Sequence, residues 1–214
     1  ILNRRGFAII ADRLFGQAVR YKRPISLLLI DCDNLKPVND SLGHKAGDQL
    51  LVGVGARLRQ RVRSEDTLGR LGSDEFMLIL ESIGRPEAAA EVAHAILAAL
   101  SIPFSLPDSA EIYIGASVGI SIHPDDGADA NELLRNADTA LHQAKAQGRN
   151  RFCFYTAAMN ADALQKLEMD AALRKALERQ EFVLHYQAKA DLRSGRICGA
   201  EALIRWPQAD GSMV

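Results

Sequence analysis

Ile25-Ser26-Leu27-Leu28-Leu29-Ile30 is a continuous apolar run bounded by Pro24 and Asp31. A strand with one wet face alternates polar and apolar residues, whereas an unbroken run fits a strand covered on both faces. The run therefore predicts a central strand with structure packed on either side. Charges end it, in Asp31-Cys32-Asp33. Carboxylates at the end of a buried strand are costly unless paired, solvated or bound to a cation. Two readings stand at this point. The aspartates cap a following helix, or they form a hard-cation site, since carboxylate and carbonyl oxygens suit Mg²⁺.

The segments around this strand alternate in character. Asn3 is a possible N-cap for a helix to residue 22, with Phe7, Ile10, Leu14, Ala18 and Tyr21 at helical spacing. Residues 34–44 read as a short helix broken by Pro37 and capped by Gly43. A longer helix over roughly 45–62 carries Leu50, Leu51, Val54, Leu58 and Val62. Asp48 falls in its first turn, where a carboxylate suits the helix dipole. Two apolar runs, Thr67 to Leu71 and Phe76 to Leu80, flank a polar turn and predict a buried β-hairpin. Its tip holds adjacent carboxylates, Asp74 and Glu75, beside small residues that permit close backbone approach. An acidic solvated turn is the plainer account of that tip.

Pro86 opens an Ala-rich helix to about Leu100, and 102–106 and 111–122 read as strands. The turn Pro124-Asp125-Asp126-Gly127 precedes a helix over about 130–146 that stops at Gly148, then a strand over 151–155. The first 155 residues thus predict an α+β domain with a mixed or antiparallel sheet, not a doubly wound one. No glycine-rich phosphate loop is present. Residues 157–179 read as a connecting helix, with Leu164, Leu167, Ala171 and Arg174 along one line. Strands over 182–187 and 197–206, joined by a turn at 193–195, begin a second domain.

Composition narrows the function classes. A formal net charge of -1 over 214 residues gives no support to sequence-independent nucleic-acid binding, so no nucleic-acid partner is expected. Cys32, Cys153 and Cys198 show no metal-type spacing and suggest a reducing, hence cytoplasmic, compartment. No apolar run approaches membrane-spanning length. The chain lacks an initiator Met and ends after a turn-like Asp210-Gly211-Ser212, so it reads as a fragment of a longer protein, whose missing N-terminal part could attach it to a membrane.

Several motifs carry a resemblance. Asp31-Cys32-Asp33-Asn34-Leu35-Lys36, Asn39-Asp40, Leu42-Gly43-His44, Gly47-Asp48 and Arg70-Leu71-Gly72-Ser73-Asp74-Glu75-Phe76 resemble the GGDEF (diguanylate cyclase) family in order and spacing. Asn3-Arg4-Arg5-Gly6-Phe7 looks like that family's opening helix. Ala116-Ser117-Val118-Gly119-Ile120-Ser121 and Lys145 to Asn150 look like its closing motifs. Phe182 to Gln187 and Gly199-Ala200-Glu201-Ala202-Leu203-Ile204-Arg205-Trp206 resemble the start of an EAL (cyclic di-GMP phosphodiesterase) domain.

The resemblance implies a ferredoxin-like palm over residues 1–155, a linker helix over 156–180, and the truncated start of an EAL-type β/α barrel over 181–214. It implies condensation of two GTP into cyclic di-GMP with release of pyrophosphate. Two Mg²⁺ or Mn²⁺ ions per site would be held by Asp31, the Cys32 carbonyl, Asp74 and Glu75, and the last two carry catalysis in roles the resemblance does not divide. Asn39 and Asp48 would read guanine, whose N1 and N2 donors adenine lacks. Leu35, Lys36, Gly72, Ser73, Lys145 and Arg149 complete the substrate site. Lys145 and Arg149 are four apart and so expected on one helix face. Each domain holds one GTP, so catalysis requires a homodimer with two sites facing. Arg63-Ser64-Glu65-Asp66 matches the family's product-inhibition motif, giving Arg63 and Asp66 to cyclic di-GMP. Glu201 would be a metal ligand and Arg205 a phosphate contact in an intact EAL barrel, which needs about 250 residues, so no phosphodiesterase activity is expected of this stretch. One position departs: the family's second glycine is Ser73. A left-handed backbone there would cost a serine about 1–2 kcal/mol; otherwise the added hydroxymethyl group intrudes on the phosphate site.

Overall fold

The chain runs β1 (Leu2–Asn3), α1 (Arg4–Tyr21), β2 (Ile25–Asp33), α2 (Leu35–Leu42), α3 (His44–Arg59), β3 (Thr67–Arg70) and β4 (Glu75–Glu81). It continues through α4 (Pro86–Leu100), β5 (Gly115–His123), α5 (Ala130–Ala146), β6 (Phe152–Phe154), α6 (Ala157–Glu178), β7 (Val183–Ala190) and β8 (Ile197–Arg205). This is a computed structural model in which residues 1–81, 86–106, 111–207 and 212–213 are described, apart from the side chains at 162–168 and 170. Leu164, Leu167 and the Asp210-Gly211 turn therefore lie outside the described set. Contacts divide the chain into two compact units, 1–160 and 161–214.

In the first unit a six-stranded sheet has the order β1-β3-β4-β2-β5-β6. β2 pairs antiparallel with β4 on one edge and β5 on the other, while β1·β3 and β5·β6 are parallel. The expected mixed, mainly antiparallel α+β sheet is what forms. All nine residues of β2 are buried. Its side chains alternate between two cores, as a strand's period of two requires. Leu28, Ile30 and Cys32 join Leu50, Val54 and Leu58 of α3 and Ala93 and Ile96 of α4. Leu27 and Leu29 join Phe7 and Leu14 of α1 and Leu133, Ala137 and Leu141 of α5.

Local chemistry sets the helix ends. Asn3 is the N-cap of α1, its side chain accepting from the Gly6 N–H at 2.9 Å. Pro37 does not break α2: it sits in the first turn, where its missing N–H has no intrahelical partner to lose. Gly43, at φ 83°, ends α2 and lets α3 begin at once. The strand expected over 102–106 is reduced to a single bridge, Phe104 to Ile112, and β5 starts only at Gly115. Arg57 of α3 explains this. Its guanidinium lies 3.5 Å from the Phe104 ring centroid. It donates to the carbonyls of Ala99 at 3.0 Å, Pro103 at 2.6 Å and Ile102. Those backbone acceptors are satisfied by a side chain instead of a strand partner.

Gly119 of β5 lets α5 close onto the sheet. A Cβ there would overlap the Ala137 carbonyl oxygen and the Leu141 nitrogen and come within 2.9 Å of the Leu141 Cα. These are backbone atoms, so the helix itself would have to move. The second unit contains α6 from residue 161 onward and the antiparallel pair β7·β8. There Trp206 packs beside Phe182, ring centroids 5.9 Å apart, and donates from Nε1 to Glu181 at 3.1 Å.

Two substitutions test this packing. Gly119→Ala is expected to lower stability by about 1–3 kcal/mol, read as a lower urea midpoint of the first unit; an unchanged midpoint would show that α5 yields freely. Arg57→Ala is expected to cost about 1 kcal/mol because it removes hydrogen bonds to part-buried carbonyls, whereas Arg57→Lys should recover only part of that loss.

Candidate active site

The strand pairing that builds the sheet also builds a cluster of carboxylates. Asp31 is opposite Glu75 across β2·β4 and opposite Ser117 across β2·β5. The Cys32 N–H donates to the Asp74 carbonyl at 3.0 Å, tying the hairpin tip to the end of β2. Asp31, Asp74 and Glu75, expected at one site from separate motifs, are thus neighbours. Asp31 is 7% exposed. Burial pushes its carboxyl above the usual range, with Asp74 and Asp33 adding to the rise, while Lys145 opposes it. Burial likewise raises Glu75, reinforced by Asp31, Asp74 and Asp138. The Cys32 thiol points into the α3–α4 core and is pushed up to about 12, first by burial and then by the same aspartates. It is a core side chain, leaving its backbone to face the site.

Lys145 comes from the last turn of α5 and holds Asp31, Nζ to Oδ2, at 2.8 Å. Arg149 does not share its helix face. α5 ends at Ala146, Gly148 has φ 111°, and Arg149 and Asn150 are both left-handed at φ 60° and 48°. The Arg149 N–H closes back on the Ala144 carbonyl at 3.2 Å, a turn that ends the helix before Arg149 could continue it. Arg149 remains in the same neighbourhood for a different reason. Asp33 accepts from Ser117 Oγ at 2.9 and 3.0 Å and from the Asn150 N–H at 3.0 Å. Asp33, offered by its place at the strand end as a helix cap or cation ligand, instead anchors the 148–150 loop to β2. Neither aspartate caps α2, whose N-cap is Asn34 with no side-chain hydrogen bond.

On the other face, the α2–α3 turn brings Asn39 against Gly47, immediately before Asp48. Asp48 is exposed and lies in the second turn of α3, not the first, because the helix begins at His44. Its position therefore owes little to the helix dipole, which acts within the first turn. One turn further along that helix, Leu51 and Val52 line an apolar cleft of about 630 Å³ with Ile1, Arg70, Gly72 and Phe76. Leu35 is buried at the start of α2, and Lys36 beside it is exposed.

The hairpin turn is clamped by Arg70, which donates to the carbonyls of Gly72 at 3.1 Å and Ser73 at 2.8 Å. Ser73 is not among the residues with positive φ, so the left-handed strain considered for it does not arise. Its hydroxyl instead donates to Asp74 Oδ1 at 2.8 Å. Upstream, Asp66 accepts the Arg63 N–H at 2.9 Å and is 7% exposed, while Arg63 itself is exposed at the surface. Burial raises the Asp66 carboxyl, and its backbone hydrogen bonds oppose that rise. In the second unit Glu201 lies on β8, opposite Gln187, and pairs with Lys189 at 3.3 Å.

A divalent cation fits the donor set at the strand ends. The oxygens are hard, and two of the acids there are raised by burial and mutual repulsion, both of which a cation relieves. No group of three or more such side chains is drawn together as a finished cage among the described residues. Mg²⁺ needs none, since it is commonly held by one or two carboxylates plus substrate phosphates.

Comparison with known proteins identifies the family. Residues 1–151 match the family described as diguanylate cyclase, GGDEF domain, and 170–214 match the EAL domain. The bifunctional diguanylate cyclase/cyclic di-GMP phosphodiesterase MucR of Pseudomonas aeruginosa is 42% identical over 96% of this chain and 30% of its own length. The cyclic di-GMP phosphodiesterase PdeR of Escherichia coli is 37% identical over 99% of this chain and 31% of its own length. The chain thus spans under a third of each. The crystal structure of the GGDEF domain of YfiN (TpbB) from Pseudomonas aeruginosa superposes with a TM-score of 0.70 at 33% identity, over 72% of this chain and 96% of that one. Domains of this kind use divalent metal ions. No described helix is long and apolar enough to cross a membrane. The chain belongs to the GGDEF family, in the group whose relatives carry an EAL domain behind it.

Proposed function

We propose that residues 1–155 are a diguanylate cyclase module, joined through a connecting helix at 156–180 to the start of an EAL domain at 181–214. The observation that carries this is the convergence of Asp31, Asp74, Glu75 and Lys145 at the ends of β2, the hairpin and α5. GTP is the substrate: the 3′-hydroxyl of one attacks the α-phosphorus of the other and pyrophosphate leaves, twice per cyclic di-GMP. Mg²⁺ or Mn²⁺, two ions per site, would offset triphosphate charge and ease ionisation of the attacking hydroxyl. Asp31, the Cys32 carbonyl, Asp74 and Glu75 hold those ions. Lys36, Lys145 and Arg149 grip the phosphates, and Leu35, Gly72 and Ser73 complete the substrate site.

Asn39 and Asp48 read the guanine edge. Adenine would leave the Asp48 carboxylate without its donors, which is costly wherever water is excluded. One domain supplies one GTP, so two chains must face each other. Arg63 and Asp66 form the feedback site, where Arg63 grips product phosphate or stacks on the base. The buried, backbone-bonded Asp66 then presents its remaining acceptor capacity to guanine. In a complete EAL barrel Glu201 would take a metal and Arg205 a phosphate. A cytoplasmic setting matches the GTP requirement.

A second reading is favoured by one observation, the Ser73 hydroxyl bonded to Asp74. It makes this domain a GTP-binding regulator of an attached phosphodiesterase, unable to cyclise. Incubation of the dimer-competent chain with GTP and Mg²⁺ separates the two. Cyclic di-GMP formation by the natural chain, rising about tenfold or less in Ser73→Gly, supports the cyclase. Product from Ser73→Gly alone supports the regulator, and failure of both chains to bind GTP rejects both readings. For the feedback site, Arg63→Ala is expected to abolish cyclic di-GMP binding in a titration while sparing GTP binding. Unchanged affinity would remove Arg63 from that role.

A further inference from the structure

We infer that Gly47 is a positioning residue for base selectivity, acting by leaving room for the Asn39 side chain. Resting on the reading of Asn39 and Asp48 as the guanine contacts, this adds a residue that touches no nucleotide. Gly47 is buried in the second turn of α3, where a glycine weakens a helix relative to alanine. Intrinsic propensity therefore does not explain it. A Cβ at this position would overlap Asn39 Oδ1, come within 3.0 Å of its Cγ and lie 3.5 Å from its Nδ2. By contrast, Gly16, in the middle of α1, has nothing within 4 Å of the same construction. The backbone of α3 at Gly47 is thus the floor on which the Asn39 amide rests.

The geometry around that floor is stiff. Asn39 is in the last turn of α2, and its carbonyl accepts the Gly43 N–H at 2.9 Å. Gly43, at φ 83°, reverses the chain, and its own carbonyl accepts the N–H groups of Ala46 at 3.1 Å and Gly47 at 3.3 Å. Asn39 and Gly47 are therefore fixed to the same tight turn from opposite ends. Leu35 before it and Leu50 after it are buried in one core, so α2 and α3 cannot swing apart to admit a methyl group. The side chain of Asn39 must yield instead. Asp48 is the next residue along, so any shift of the Asn39 amide changes its distance from the carboxylate that reads the same edge.

The test uses binding without turnover. The probes are a GTP analogue with a methylene bridge between the α- and β-phosphorus atoms and its adenine counterpart, titrated with Mg²⁺ against the whole chain. Gly47→Ala is expected to weaken the guanine analogue by roughly tenfold while leaving the adenine analogue nearly unchanged, so that base discrimination falls by the same factor. Asn39→Ala should do the same. The double variant Gly47→Ala/Asn39→Ala should bind no worse than Asn39→Ala alone, because the clash needs both side chains. Gly16→Ala serves as the helix control and should bind as the natural chain does.

Gly47→Ala binding normally, with Asn39→Ala weakened, overturns the inference and leaves the base-reading intact. A double variant weakened by the full product of the singles also overturns it, since Gly47 would then act independently of Asn39. Normal binding by Asn39→Ala rejects the base contact itself and the inference with it. If Gly47→Ala alone fails to fold, restoration of folding by Asn39→Ala supports the clash, and absence of restoration overturns it.

Discussion

β2 is hydrogen-bonded along both edges and covered on both faces, so its register is set four ways at once. Its two neighbours fix Asp31 opposite Glu75 and Ser117. The two cores fix which side chains face which helices. A slip of one residue would exchange the two faces, sending Leu27 and Leu29 toward α3 and α4 and carrying Asp31 away from Lys145. The hydrophobic pattern of six residues therefore does more than hold the sheet together. It sets the place at which carboxylates emerge from the interior, and it does so with the rigidity of a core. A site built on strand ends inherits that precision, whereas the surface loops around it do not need to supply it.

The acids gathered there are stabilised in different ways. Asp33 is satisfied internally by Ser117 and by the Asn150 backbone, and that arrangement holds a loop in place. Asp31, one strand period away on the same face, has a single long lysine as its counter-charge. Breaking the first arrangement would orphan a buried acceptor and free the 148–150 loop. A lysine on a flexible stem can move from one anion to another with little backbone cost. In the proposed cyclase, that freedom would let Asp31 and Lys145 exchange partners with a cation and a phosphate. Asp33 belongs to the framework. Charge alone does not distinguish the two aspartates; their hydrogen-bond partners do.

Much of this was legible in the chain because the relevant signals are local. The apolar run at 25–30, the hairpin at 67–80, the Asn3 cap and the Gly43 stop all formed where short-range patterns put them. Signals that depend on distant partners were less visible. The strand expected over 102–106 reduces to one bridge because Arg57, about 45 residues earlier, takes its carbonyls. Arg149 leaves the helix face of Lys145 because Gly148 and two left-handed residues end α5, a turn that spacing alone does not reveal. The anchoring by Asp33 depends on β5 lying beside β2. The role proposed for Gly47 depends on a side chain eight positions away folding back over it. The one available clue was a glycine inside a helix with no turn to explain it.

Ser73 shows why folding and chemistry must be weighed separately at this site. The hairpin turn is held by Arg70 through the carbonyls of Gly72 and Ser73, groups that glycine and serine possess equally. Ser73 needs no left-handed backbone, so exchanging the two residues leaves the turn without strain. The difference is a hydroxymethyl group directed at Asp74, where it uses one acceptor position of a carboxylate proposed to hold metal. That hydrogen bond is exposed, and solvent competes with it, so its effect on stability is small. Its effect on a reaction can still be large, because about 1.4 kcal/mol lost only in the transition state is a factor of ten in rate. A domain can therefore keep its sheet intact, with the acids and base contacts proposed for it, and yet be slow. For the two functions proposed for this domain, cyclase and GTP-binding regulator, the atoms that would separate them are those of one side chain on a turn that folds the same way in either case.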